Sequence, residues 1–259
     1  METSLRLFVS ADLAGSTAFK QQGNNPAEWQ KSFRNFYREL PTLIVAHYAS
    51  DYPPEKRLQG WKLIGDEMVF STRLTRWDDA LIHVQVFRRA VDELRAGLAS
   101  NLDVKAAAWT AGFPVGNIKI EATETFAEDY IGPSMDIGFR LVKAASPRRM
   151  LLSVETAWLL TFPDHKSPPK IFASEGLELK GVAKGKSYPC LWLDNYADGL
   201  KTTSTDALLL SEESLRGINR MPCSPAELHT FCTNWLELLG SPFLVPFIEG
   251  DSVIGKMPE

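Results

Sequence analysis

Asp12 and Asp66 are the acids best placed to build a reactive site. Asp12 follows the β-prone run LRLFVSA over residues 5–11, and Asp66 sits in the turn of LIGDE. A lone carboxylate at a turn is ordinarily there for solvation. Asp12, however, runs into Gly15-Ser16-Thr17, a small-residue turn whose backbone amides can cradle phosphate. Two acids beside a phosphate hold Mg²⁺ or Mn²⁺, which prefer hard oxygen ligands. Arg140 lies on the middle turn of a helical stretch with Asp136 four residues earlier, a spacing that by itself gives an intrahelical ion pair. Lys62, four residues before Asp66, shares its strand face because side chains alternate with period two. Lys180 and Lys184 in LELKGVAKGK make a basic hairpin of the kind that is usually solvated.

The elements that must position these groups follow from periodicity. From Pro26 the residues Trp29, Phe33, Phe36, Leu40, Leu43, Ile44 and His47 recur at steps of three and four, a long amphipathic helix. Runs over 59–64 and 68–72 flank Gly65-Asp66-Glu67, so the acids fall in a hairpin turn. Ala80, Val84, Phe87, Val91, Leu94 and Leu98 predict a helix over 77–99. Residues 104–113 read as a strand with 117–121 as its hairpin partner, and 134–145 as a helix between Gly132-Pro133 and Ser146-Pro147. A strand over 150–154, a helix over 155–162 and a closing β pair over 177–185 and 188–193 complete an α+β order with one mixed sheet covered by helices. Beyond Asp194 the chain predicts helices over 206–219 and 225–239, a helical appendage without a second β core.

The 259 residues carry 28 Lys+Arg against 32 Asp+Glu, a formal charge of −4, so no global positive field draws the protein to nucleic acid. The opening METSLRLFVSADLAGS lacks a basic segment leading a long apolar one, and no apolar run approaches about 20 residues, which disfavours secretion and direct membrane contact. Cys190, Cys223 and Cys232 form no CxxC pair and read as buried thiols in a reducing, cytoplasmic compartment.

Taken together, the motifs resemble class III nucleotidyl cyclases. FVSADLAGSTAFK is similar to their metal-binding first strand, WKLIGDEMVFS to the hairpin with the second metal aspartate, DYIGPSMDIGFRL to their D-x-x-G…N-x-x-x-R helix motif and LELKGVAKGKSYPCLWL to their closing strands. The resemblance spans about residues 5–193 and implies a ferredoxin-like catalytic domain over 1–195 with a C-terminal helical extension over 196–259. It implies that Asp12 and Asp66, with the carbonyl of Leu13, bind two divalent ions, Mn²⁺ or Mg²⁺. Gly15, Ser16 and Thr17 then lie near the β/γ-phosphates, and Lys62 and Asp129 near the base. Arg140 falls where the family neutralises transition-state charge at the α-phosphate, and Lys180 where it holds the triphosphate. Asp136 stands in place of the usual ribose-positioning Asn. The family works as a homodimer with two composite sites, the metal aspartates coming from one protomer and the remaining groups from the other.

Within that family the ADLAGSTAFK wording, the early first strand and the helical tail look most like the pyrimidine cyclases of bacterial Pycsar anti-phage systems, which make cUMP or cCMP for a separate cyclic-nucleotide-responsive effector. That likeness implies UTP as substrate, with CTP next. Lys62 and Asp129 cut toward ATP, since the wider family reads adenine with such a pair. A strand followed by D-x-x-G-S-T also resembles the phosphate loop of sugar-kinase and actin-like ATPases, whose duplicated domain does not fit this length, and a non-enzymatic nucleotide sensor stays open as well.

Overall fold

Strand β1 (Ser4–Ala14) is the spine of the structure, a computed structural model in which residues 3–22, 26–182, 185–195, 221–240, 245–249 and 252–255 are described. Its odd-numbered residues Leu5, Leu7, Val9, Ala11 and Leu13 are all buried on one face. Arg6, Phe8, Ser10 and Asp12 take the other by simple alternation. β1 pairs antiparallel with β3 (Glu67–Leu74) on one side and with β4 (Asp103–Phe113) on the other. Outside β3 lies β2 (Gln59–Ile64); outside β4 lie β7 (Arg149–Leu152), parallel to it, then β9 (Tyr188–Asp194) and β8 (Ile171–Leu177). The result is one mixed seven-stranded sheet, as the element order implied.

Helices cover both faces. α2 (Pro26–Ala46) buries Phe36, Leu40 and Ile44, and α3 (Asp79–Ala96) buries Val84, Phe87 and Val91, with Phe87 meeting Phe70 of β3 at 6.4 Å. The opposite face takes α4 (Pro133–Ala144), which packs on β4 so closely that a β-carbon at Gly138 would overlap the Trp109 indole. α5 (Val154–Leu160) is wholly buried, capped by the Ser153 hydroxyl accepting from the Thr156 amide.

Several expectations are corrected. Residues 16–22 are not merely a turn but a short helix, α1 (Ser16–Gln22). β5 (Ile118–Ile120) does not return to the 104–113 strand, because both edges of β4 are already taken by β1 and β7. It pairs instead with β6 (Asp129–Ile131) in a separate ribbon. The partner of β9 is 171–177 rather than 177–185: Gly181 and Gly185 adopt φ of 75° and 79°, a left-handed backbone that ends a strand, so Lys180 lies in a turn.

The helix expected over 206–219 lies outside the described residues. The helix expected over 225–239 is α6 (Pro225–Leu239), whose Leu228, Cys232, Leu236 and Leu239 join the common core and whose Thr233 Oγ1 accepts from Trp158 Nε1 at 2.9 Å. The tail is not purely helical, because β10 (Phe247–Glu249) and β11 (Ser252–Gly255) form a small antiparallel ribbon. Cys190 and Cys232 are buried free thiols, whereas Cys223 is only half-buried. Among the described residues no helix is long and apolar enough to cross a membrane.

Because α4 rests its backbone on Trp109 at Gly138, Gly138→Ala must push the helix off the sheet. The expected cost is about 1–3 kcal/mol, typical of overpacking, read as a lowered melting temperature. An unchanged melting temperature would show that α4 has room to spare.

Candidate active site

The C-terminal end of β1 and the β2–β3 turn meet at one corner of the sheet. In register, Asp12 lies opposite Glu67 on β3 and opposite Lys105 on β4. The Leu13 amide donates to the Asp66 carbonyl at 3.2 Å, which ties the strand end to the turn. The Asp12 carboxylate accepts from Lys105 Nζ at 2.8 Å, with both side chains mostly buried. The Ser16 hydroxyl, buried at the start of α1, donates to the Asp66 carboxylate. Gly15 just before it has φ of 83° and leaves no room for a β-carbon against the Asn101 carbonyl, so only glycine makes this turn. The exposed Thr17 follows on the first turn of α1.

Two further side chains tighten the corner. Tyr37 of α2 donates its hydroxyl to the Gly65 carbonyl; burial, followed by the Asp66 charge, raises its pKa. Glu67 accepts from the Ser10 hydroxyl at 2.6 Å. Its carboxyl is pushed up chiefly by burial and further by Asp12 and Asp66, against the lowering effect of Ser10 and Lys105. Negative charge is therefore crowded here. Among the described residues no three His, Cys, Asp or Glu side chains converge as a ready ligand set. Two carboxylates are nevertheless what a Mg²⁺-like ion usually takes from protein when substrate phosphates complete its shell. The corner also already holds a cation, the Lys105 ammonium, so its chemistry fits such ions.

Lys62 and Asp129 form a second group. Lys62 Nζ donates to Asp129 Oδ2 at 2.7 Å, joining β2 to β6, with both side chains partly exposed. Beside them the indole of Trp61 donates Nε1–H to the Glu128 carbonyl at 3.2 Å. Its ring packs against Phe8 at 5.2 Å, Tyr130 at 5.3 Å and Phe139 of α4 at 6.3 Å. Phe8 in turn stacks on Trp109 at 5.6 Å, so a continuous aromatic wall runs from the sheet to the Lys62–Asp129 pair.

Arg140 and Lys180 form the third group, since Arg140 Nε donates to the Lys180 carbonyl at 2.9 Å. That bond replaces the intrahelical pair expected from spacing: among the described residues no ion pair joins Arg140 to Asp136, which is exposed on the outer side of α4. The Lys180 ammonium projects from an exposed turn. No hydrogen bond or ion pair among the described residues links one of the three groups to another.

Lys105 and Tyr37 escaped the sequence reading. Lys105 is recognisable only once the β1–β4 register is known, and Tyr37 sits one position off the apolar stripe of its helix. Glu67 was visible as half of an acidic pair but was assigned no part.

No protein-family model and no curated protein sequence matches the chain. Solved structures do. The adenylyl cyclase CyaB from P. aeruginosa superposes with a TM-score of 0.55 at 14% identity, covering 78% of this chain and 97% of that one. The guanylate cyclase domain of RhGC from Catenaria anguillulae in complex with GTP gives 0.54 at 11% identity, over 75% and 99%. A noncanonical dimeric guanylyl cyclase domain of the RhoGC fusion protein from the aquatic fungus Blastocladiella emersonii gives 0.52 at 9%, over 75% and 96%. The seven-stranded sheet with its covering helices has the fold of these cyclase catalytic domains.

Proposed function

We propose that the protein is a nucleotidyl cyclase acting on a pyrimidine nucleoside triphosphate, UTP before CTP, and releasing the 3′,5′-cyclic mononucleotide and diphosphate. The observation that carries this is the union of Asp12 and Asp66 at one sheet corner, on a fold shared with adenylyl and guanylyl cyclase domains. In the reaction the ribose 3′-oxygen bonds to the α-phosphorus, the bond between the α-phosphorus and the diphosphate oxygen breaks, and the hydroxyl proton passes to water. Asp12, Asp66 and the Leu13 carbonyl would hold Mn²⁺ or Mg²⁺, which supplies a lowered 3′-hydroxyl pKa and neutralises the leaving group. The turn through Gly15, Ser16 and Thr17 orients the β/γ-phosphates with backbone N–H groups. Arg140 stabilises charge as it moves from the α-phosphate toward diphosphate. The Lys180 ammonium steers the triphosphate, and Asp136 accepts a ribose hydroxyl.

Among the described residues the Lys62–Asp129 and Arg140–Lys180 groups make no hydrogen bond or ion pair to the Asp12–Asp66 corner, which accords with a site assembled from two chains. Leu63 and Ile64 on β2, Ile118 and Ile131 on the β5–β6 ribbon and Phe126 between them are exposed large apolar residues around the Lys62–Asp129 pair. Such a patch suits a second copy of the chain. Pyrimidine selection is supported by Trp61, whose ring stands next to Lys62 with its ammonium 5.1 Å away. An indole held by Phe8, Tyr130 and Phe139 cannot shrink to admit a second base ring. ATP is the second reading, favoured by the intact Lys62–Asp129 pair. The cyclic product is assigned to signalling toward a separate effector in anti-phage defence, in a cytoplasmic protein.

Three outcomes test these assignments. Offered the four nucleoside triphosphates at equal concentration with Mn²⁺, the enzyme should yield mainly cUMP, and Trp61→Ala should raise the share of purine product; predominant cAMP from the wild type defeats the pyrimidine assignment alone. Arg140→Ala should lower kcat by about 10²–10⁴ with little change in KM, because its contact belongs to the transition state, whereas a rise in KM at constant kcat makes it a substrate clamp. Inactive Asp66→Ala mixed with inactive Arg140→Ala should regain activity through mixed dimers, and a dead mixture after demonstrated subunit exchange excludes the shared site.

A further inference from the structure

Lys105 has no part in the chemistry above, yet it is the cation in contact with Asp12. The two residues face each other across the β1–β4 ladder, so their β-carbons share one face at roughly 5 Å and the ammonium reaches the carboxylate at 2.8 Å. Their side chains retain only 25% and 19% of their exposure, so the pair is held in surroundings that screen charge poorly. Asp66 and Glu67 stand at the same corner, bonded to the Ser16 and Ser10 hydroxyls. The nearest acid along the Lys105 strand, Asp103, is already held by Arg95 Nε at 2.7 Å. Lys105 therefore has Asp12 as its anchor, with Glu67 on the far side of Asp12 near enough to feel its charge and solvent beyond.

We infer that Lys105 is the resident counter-cation of this corner, and that a divalent ion binds only by displacing its ammonium from Asp12. The inference rests on the assignment of Asp12 and Asp66 to metal. Both cations seek the same carboxylate oxygens, and a divalent ion beside a retained ammonium is strongly repelled in a half-buried site. Lys105 thus weakens the binding of metal alone. Its four-carbon stem lets the freed ammonium swing outward to meet the anionic phosphates of an arriving nucleotide, so metal and nucleotide bind cooperatively rather than independently.

The test is Mn²⁺ binding without nucleotide, followed through the paramagnetic signal of free Mn²⁺, in the full chain and in Lys105→Met, which keeps the stem and removes the charge. Lys105→Met should bind Mn²⁺ about tenfold more tightly. Unchanged or weaker affinity overturns the inference while leaving the metal site standing. On the unmodified chain, Mn²⁺ should increase acetylation of Lys105 by an amine-reactive reagent, read by peptide mass spectrometry; constant or reduced labelling under saturating Mn²⁺ also overturns it. If neither chain binds Mn²⁺ saturably, the metal assignment itself fails and the inference falls with it.

Discussion

Carboxylates gathered at the ends of neighbouring strands repel one another, and the corner formed by Asp12, Asp66 and Glu67 exists only because other groups compensate that repulsion. Lys105 does so by charge and Ser16 and Ser10 by hydrogen bonds, while burial and the neighbouring acids raise the Glu67 pKa. Lys105 and Ser10 are fixed by the register of β1 between β3 and β4, and Ser16 by the α1 turn that follows β1. A slip of one residue would turn Asp12 and Phe8 toward α2 and α3 and expose Leu7 and Val9 on the opposite face. Burial of the apolar side of β1 thus secures the polar side, and the core enforces the chemistry.

The same dependence extends to the other groups. Gly138 lets α4 lie against Trp109, which sets the height of Phe139 above the sheet and the direction from which Arg140 reaches the Lys180 turn. Phe8, Trp109, Trp61 and Tyr130 then form a wall of contacting rings beside Lys62 and Asp129. If the base binds at that wall, as proposed, its recognition is steric before it is polar. An exposed ion pair in water discriminates weakly, while a packed indole excludes volume outright.

Much of this was legible in the sequence because it rests on local signals. A strand-end acid followed by small residues marked Asp12, a hairpin turn between two β-prone runs marked Asp66, and steps of three and four marked α2, α3 and α4 with Arg140 on the last of them. What was not legible depends on pairing between distant segments. Lys105 gains its meaning from lying across from Asp12; β5 was assigned to β4 because proximity in sequence outweighed the fact that β4 had no free edge. The position of β8 was misplaced by a few residues, since LELKGVAKGK carries strand-like composition while Gly181 and Gly185 require a turn. The Arg140–Asp136 pair failed for a related reason: spacing permits an ion pair, but the Lys180 carbonyl offered a better-fixed acceptor.

Helix α6 carries a consequence for biosynthesis. Its Leu228, Cys232, Leu236 and Leu239 are buried, and its Thr233 and His229 close over Trp158, so α5 lacks this cover until the chain beyond residue 239 has left the ribosome. Roughly 80 residues separate the end of α5 from the end of α6, which at about 5–20 residues per second leaves an apolar helical face bare for roughly 4–16 seconds. The nascent protein is a natural client for chaperones during that interval, and a message truncated before α6 yields a sheet that is complete yet adhesive.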